Sequence, residues 1–207
     1  MNKARLIAGI RLFFGCLTLG AIAIQAWALA EAGVFNSINY LSYFTNLSNI
    51  FAAVVFIISA GFILKARRPS KSDDIIRGAS VLYMAVTGVI YATLLTEVNV
   101  SLQIPWVNVL LHYVMPVVVV LDWLYRPQGS LLRLSQMLWW LVFPLIYLVY
   151  SLLRGAALNW YPYPFLNPQT IGGYGMVTLY CIGILGVFLV LGWLLMQAGN
   201  HLRKTSK

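Results

Sequence analysis

Residues 40–64 read YLSYFTNLSNIFAAVVFIISAGFIL, an uncharged and mostly apolar run. About 20 residues at a 1.5 Å rise cross a ~30 Å hydrocarbon core. Five further runs of the same character place apolar stretches at about 6–30, 40–64, 78–97, 104–124, 136–153 and 173–198. A bilayer offers no water to stray backbone groups, so such stretches must be helical. Alternation at period two, the mark of a barrel, is absent. The composition agrees: of 207 residues, 61% are hydrophobic and 9% charged, against roughly 25% charged in a soluble domain. The expectation is an all-α polytopic membrane protein, with residues 1–207 forming one bundle of six transmembrane helices.

The charges orient that bundle. With the N-terminus in the cytoplasm, Lys3, Arg5, Arg11, Lys65, Arg67, Arg68, Lys71, Arg77, Arg126, Arg133, Arg203, Lys204 and Lys207 lie inside, and only Arg154 lies outside. The positive-inside rule selects this arrangement, with both termini cytoplasmic. Glu31 and Glu97 fall on the outer side. The net charge of +9 is then read as a topology signal that meets anionic headgroups. No basic run interleaved with aromatics points to nucleic acid.

Several local features have plain readings. Ala28-Leu29-Ala30 imitates a signal-peptide cleavage site, but the apolar run before it is long for that role, and it is kept as a span. Cys16 and Cys181 lie inside spans without metal-ligand spacing and are expected to pack. The sequon Asn46-Leu47-Ser48 falls within a span, where glycosylation is implausible. Asp73-Asp74 suits the N-terminus of the third helix. Gly183 and Gly186 are expected at a close helix contact. No pair of broken helices marks an inverted repeat. The outer connection Arg154 to Gly173 carries Asn159-Trp160-Tyr161-Pro162-Tyr163-Pro164-Phe165-Leu166-Asn167-Pro168. Its prolines exclude a regular helix. Its aromatics suit an interfacial belt or the rim of an amphiphile site.

Polar residues within spans carry the chemistry. Ser42, Thr45 or Asn46, and Asn49 recur at three- and four-residue steps, so they share a helical face. Interhelical hydrogen bonding would account for such a face by itself. The fourth span holds Trp106-Val107-Asn108-Val109-Leu110-Leu111-His112-Tyr113-Val114-Met115-Pro116. An ionisable group there is a functional hypothesis by default. Both helices enter from the outer side, and Thr45 and His112 are expected at one depth. A hydroxyl beside an imidazole is the minimum for nucleophilic acyl transfer, because the hydroxyl needs a base to remove its proton. Asn46, Asn49 and Asn108 could orient the groups or donate to an oxyanion. Asp122, roughly 15 Å further along the helix than His112, cannot complete a Ser-His-Asp arrangement. It is expected to pair with Arg126 at the cytoplasmic end.

At these residues the sequence resembles the family of androgen-induced protein 1 and the androgen-dependent tissue-factor-pathway-inhibitor-regulating protein, with its bacterial six-span relatives. Three short stretches carry the resemblance: Tyr43-Phe44-Thr45, Trp106-x-Asn108-x-x-x-His112 with Pro116, and Tyr163-Pro164-Phe165-Leu166. Asp122 also falls where the family has an acidic residue. One position departs: animal members carry a histidine directly after the asparagine, where this chain has Val109. The resemblance implies a membrane threonine hydrolase cleaving fatty acid esters of hydroxy fatty acids, with Thr45 as nucleophile and His112 as catalytic histidine. With the topology set by the charges, which puts the polar site toward the exoplasmic side, it implies a bacterial cytoplasmic membrane.

The expected function is therefore lipid-ester hydrolysis without a cofactor or metal, the partners being a lipid or fatty acid ester and membrane lipids. Arg154 is a candidate to hold a substrate carboxylate. Trp160, Tyr163 and Phe165 are candidates to line the substrate site. The rival is a non-catalytic lipid-binding scaffold or small transporter using the same polar face. Redox or metal chemistry finds no cysteine pair or histidine cluster to support it.

Overall fold

A computed structural model describes residues 3–96 and 103–205; Glu97 and Lys207 lie outside them. Among the described residues there is no strand, and six helices are long and apolar enough to cross a membrane. α1 (Lys3–Glu31) runs along α3 (Phe44–Leu64), with the short α2 (Ser37–Leu41) between them. α4 (Lys71–Ile90) continues into a π-helical turn, Tyr91–Leu95. The fourth span joins α5 (Pro105–Val109), a π-turn (Leu110–Val114) and α6 (Met115–Tyr125). The fifth joins α7 (Leu134–Leu138), a 3-10 turn (Trp139–Leu141) and α8 (Val142–Leu158). A connection with α9 (Pro168–Ile171) leads to α10 (Tyr174–Thr205). Phe13, Trp27, Ile58, Ile146, Leu179 and Ile182 are each half or more exposed on these helices, a pattern that suits lipid as the solvent.

α4 is the hub, packing on α3, α6, α7 and α10. Its start is fixed by a capping box: the Ser70 hydroxyl accepts from the Asp73 N–H, and the Asp73 carboxylate accepts from the Ser70 N–H. Each bond satisfies a donor that the helix leaves without an intrahelical partner. Asp74 instead accepts from the backbone N–H groups of Gly129 and Ser130, tying α4 to the connection before α7. Trp123 and Trp140, both fully buried, meet edge to face beside α4. The Trp140 ring lies against the Gly78 backbone, where a methyl group would collide with it.

Four expectations need correction. Residues 40–43 do not belong to the long second helix. The Ser42 hydroxyl folds back to the Ile38 carbonyl at 2.7 Å and Tyr43 is extended, so α3 starts at Phe44 and Ser42 does not share its face with Thr45. Gly183 and Gly186 have nothing within 4 Å of an added Cβ; the close approaches are at Gly15, Gly78, Gly155 and Gly192. Cys16 is exposed rather than packed, and Cys181 is half-buried. Asp122 does not pair with Arg126. It takes a two-point contact from Arg11 at 2.8 and 2.9 Å and a third from Arg77 at 2.8 Å. Arg11 and Arg77 are buried within the bundle. Three elements converge on this carboxylate, whereas Arg126 has passed the end of α6 and only its backbone N–H reaches the Asp122 carbonyl.

Candidate active site

The break at Tyr43 determines the setting of Thr45. α3 has no side-chain cap at its start, so its first N–H groups are left for another partner, and the helix dipole favours negative charge there. Thr45 is the second residue of α3 and is buried. Its N–H donates to the Tyr163 hydroxyl oxygen at 3.2 Å, and its Oγ1 lies 3.4 Å from that oxygen. Burial pushes the Tyr163 phenol above its ordinary value, so it keeps its proton at neutral pH.

Thr45 opens on a cleft between α8 and α10, which stand apart at this level. The cleft encloses about 790 Å³, its open mouth included. Apolar side chains such as Val86, Leu145, Leu148, Ile184 and Phe188 form most of its wall. Tyr163, Phe165 and Leu166 close it at the end where α3 begins. The polar atoms of Thr45, Thr87, Tyr147 and Tyr163 gather near that end. The Tyr147 hydroxyl is committed to the Ser42 carbonyl at 2.8 Å, and Thr87 to Ser48 at 3.0 Å.

His112 sits in the π-turn of the fourth span and is buried. Its ring stacks on Tyr91 with centroids 3.9 Å apart, so two π-turns from neighbouring helices meet ring to ring. Nδ1 lies 3.0 Å from the Asn108 carbonyl. A carbonyl can only accept, so Nδ1 carries the proton and the lone pair resides on Nε2. Pro116 has no N–H to give the His112 carbonyl, which favours an irregular turn here. Gly88 of α4 admits this turn closely: a methyl there would lie 3.0 Å from Pro116.

No hydrogen bond joins Thr45 to His112 among the described residues, and His112 does not line the cleft. Asn49 links their surroundings. Its side-chain amide donates to the Thr45 carbonyl at 2.9 Å and to the Leu111 carbonyl at 3.1 Å. Those two carbonyls are therefore at most about 6 Å apart, and the turns bearing Thr45 and His112 stand at one level.

The other expected residues divide. Asn49 spends both amide hydrogens on this bridge, which leaves none to donate to an oxyanion. Asn46 donates to the Tyr40 carbonyl at 2.8 Å and Asn108 to the Tyr91 hydroxyl at 2.6 Å. Tyr163 and Phe165 line the cleft, stacked on each other at 5.1 Å. Arg154 and Trp160 do not line it. The Arg154 guanidinium lies over the Trp160 ring at 4.6 Å and donates to Asn39 at 2.6 Å. Trp160 in turn meets Tyr43 edge to face. These contacts build a belt behind the site. Tyr91 and the Asn49 bridge were not foreseen, because each acts through a contact between helices. Comparisons with protein-family models, with curated proteins and with solved structures found no match.

Proposed function

We propose that this chain is an integral membrane ester hydrolase of the resembled kind, with Thr45 as nucleophile and His112 as base. The observation that carries the reading is the Asn49 clasp. It holds the turn of a buried threonine, facing an apolar cleft, level with the turn of His112. The cleft suits the acyl chain of a lipid ester, with the carbonyl among the polar atoms at the start of α3.

In this reading the Thr45 hydroxyl attacks the ester carbonyl carbon and gives its proton to Nε2 of His112. The oxyanion is stabilised by the Tyr163 O–H and by the N–H groups that open α3. As the tetrahedral intermediate collapses, the ester C–O bond breaks and the leaving alkoxide takes the proton from His112. Water then attacks the acyl-threonine with His112 again as base, releasing a carboxylic acid and restoring the Thr45 hydroxyl. Because the Nε2–Oγ1 contact is not made at rest, it must form on substrate binding; catalytic hydrogen bonds often tighten only in the complex. The chain is placed in a bacterial cytoplasmic membrane with both termini in the cytoplasm and the cleft toward the exoplasmic side, on the basis of charge distribution and resemblance.

A second reading, lipid binding without turnover, is favoured by the stacking of His112 on Tyr91 away from the cleft wall. Assay of purified protein against fatty acid esters separates the two, with Thr45→Ala and His112→Ala alongside. Hydrolysis should fall by about 10³-fold or more in either variant. A fluorophosphonate should label the wild type and neither variant. Hydrolysis that survives Thr45→Ala in folded protein removes the threonine mechanism, and binding without turnover in the wild type selects the second reading.

A further inference from the structure

At the other end of α4 from Thr45, a second cavity of about 640 Å³, its open mouth included, has a different chemistry. Its wall includes Arg11, Arg67, Arg77 and Arg126, with Asp73 and Asp74. The carboxylates are already engaged: Asp73 with Ser70 and Arg67, Asp74 with the N–H groups of Gly129 and Ser130, and Asp122 behind the wall with Arg11 and Arg77. Four arginines against three aspartates leave a positive excess. That excess is located at two side chains. Arg77 commits Nη2 to Asp122, while its Nε is buried with no hydrogen-bond partner. Arg126 makes no side-chain hydrogen bond among the described residues. Burial first, and then the neighbouring Arg11, push the Arg126 guanidinium below its ordinary value against the opposing pull of Asp122.

Water could fill the cavity, but water does not neutralise a guanidinium facing other guanidinium groups. A buried donor of a charged group left without a partner is costly. The planar fork of arginine matches phosphate oxygens in two-point contacts. The cavity grades from buried Arg11 and Arg77 to exposed Arg67, Pro69 and Gly129, and the exposed Lys65, Arg68 and Lys71 flank Arg67 and Pro69 along the chain. Basic clusters at the end of a membrane helix attract anionic headgroups.

We propose that this cavity binds a phosphate-bearing anion, its position at the end of the spans favouring the headgroup of an anionic membrane lipid. The site is separate from the Thr45 cleft and does not depend on the hydrolase reading.

Thermal unfolding of the whole chain in neutral detergent tests it, with dioleoyl phosphatidic acid, phosphatidylcholine or inorganic phosphate added at constant ionic strength. A ligand that binds only the folded state raises the melting temperature in proportion to its saturation. Phosphatidic acid should stabilise the protein and phosphatidylcholine should not. Arg126→Gln should shift the midpoint of that titration about tenfold higher, and Arg126→Lys should restore part of it. Arg126 supports no side-chain hydrogen bond, so its removal should leave the unliganded melting temperature near that of the wild type. Should Arg126→Gln fail to fold, Arg67→Gln at the exposed rim serves the same comparison. Stabilisation by inorganic phosphate to the same Arg126-dependent degree would identify a soluble phosphate compound as the source. No stabilisation by either anion, or a shift equal in wild type and variant, overturns the proposal.

Discussion

Thr45 and Tyr163 come from parts of the chain more than a hundred residues apart, yet they share two contacts at the start of α3. The Tyr163 oxygen accepts from the Thr45 N–H, and in the proposed hydrolysis its own proton can turn from Thr45 Oγ1 to the oxyanion. Tyr163→Phe should therefore lower kcat by about 10²-fold to 10³-fold with little change in KM, the pattern for a donor used mainly in the transition state. Steady-state kinetics on one ester decides this; a rise in KM alone would assign Tyr163 to ground-state binding. At this scale the sequence was informative about residue type and weak about partners. A hydroxyl and an imidazole inside apolar runs stand out without any coordinates. That Asn49 clamps two carbonyls, or that Tyr91 covers His112, follows only from which helices are neighbours.

Elements differ from their hydropathy outlines where local chemistry interrupts the period. The second apolar run is broken at Ser42-Tyr43, and this break, invisible to hydropathy, exposes the helix N-terminus on which the site is built. The ion cluster is the counterpart at the other end. Asp122 joins α1, α4 and α6, and its removal leaves Arg11 and Arg77 buried without a counter-charge. Asp122→Ala should cost about 3–5 kcal/mol, whereas Arg126→Ala, which removes no side-chain hydrogen bond, should cost well under 1 kcal/mol. Denaturant or thermal unfolding in detergent measures both; similar losses would restore the Asp122–Arg126 pairing expected from their spacing of four residues. Glycines offer a parallel contrast. Gly78→Ala should destabilise by about 1–3 kcal/mol through collision with the Trp140 ring. Gly183→Ala, in open space, should be neutral or stabilising by up to about 1 kcal/mol from helix propensity. The reverse order would mean that α4 and the 3-10 turn at Trp139–Leu141 pack less closely than this.

For the molecule as a whole, the arrangement of loops makes a topological prediction. Ser72 at the basic end and Gln169 in the aromatic connection are both exposed. In a variant lacking Cys16 and Cys181, Gln169→Cys should react with a membrane-impermeant maleimide in intact cells. Ser72→Cys should react only after the membrane is opened. The opposite pattern would invert the bundle and turn the Thr45 cleft toward the cytoplasm. Such orientation depends on the uneven basic residues, a quantity that composition and order contain in full.

The amino-acid order by itself determined the helical character, the six long apolar segments and the short list of polar groups within them. Each of these follows from local content: apolar length sets what can cross lipid, and an isolated polar side chain is conspicuous against it. Tertiary structure alone decided which guanidinium groups answer Asp122, which glycines meet a neighbour, and that α8 stands off α10 to leave a cleft beside Thr45. Those outcomes depend on helix rotation and contact. Lipid-facing and bundle-facing apolar residues look alike in a sequence, because both faces of such a helix are greasy and no amphipathic period records which one turns inward.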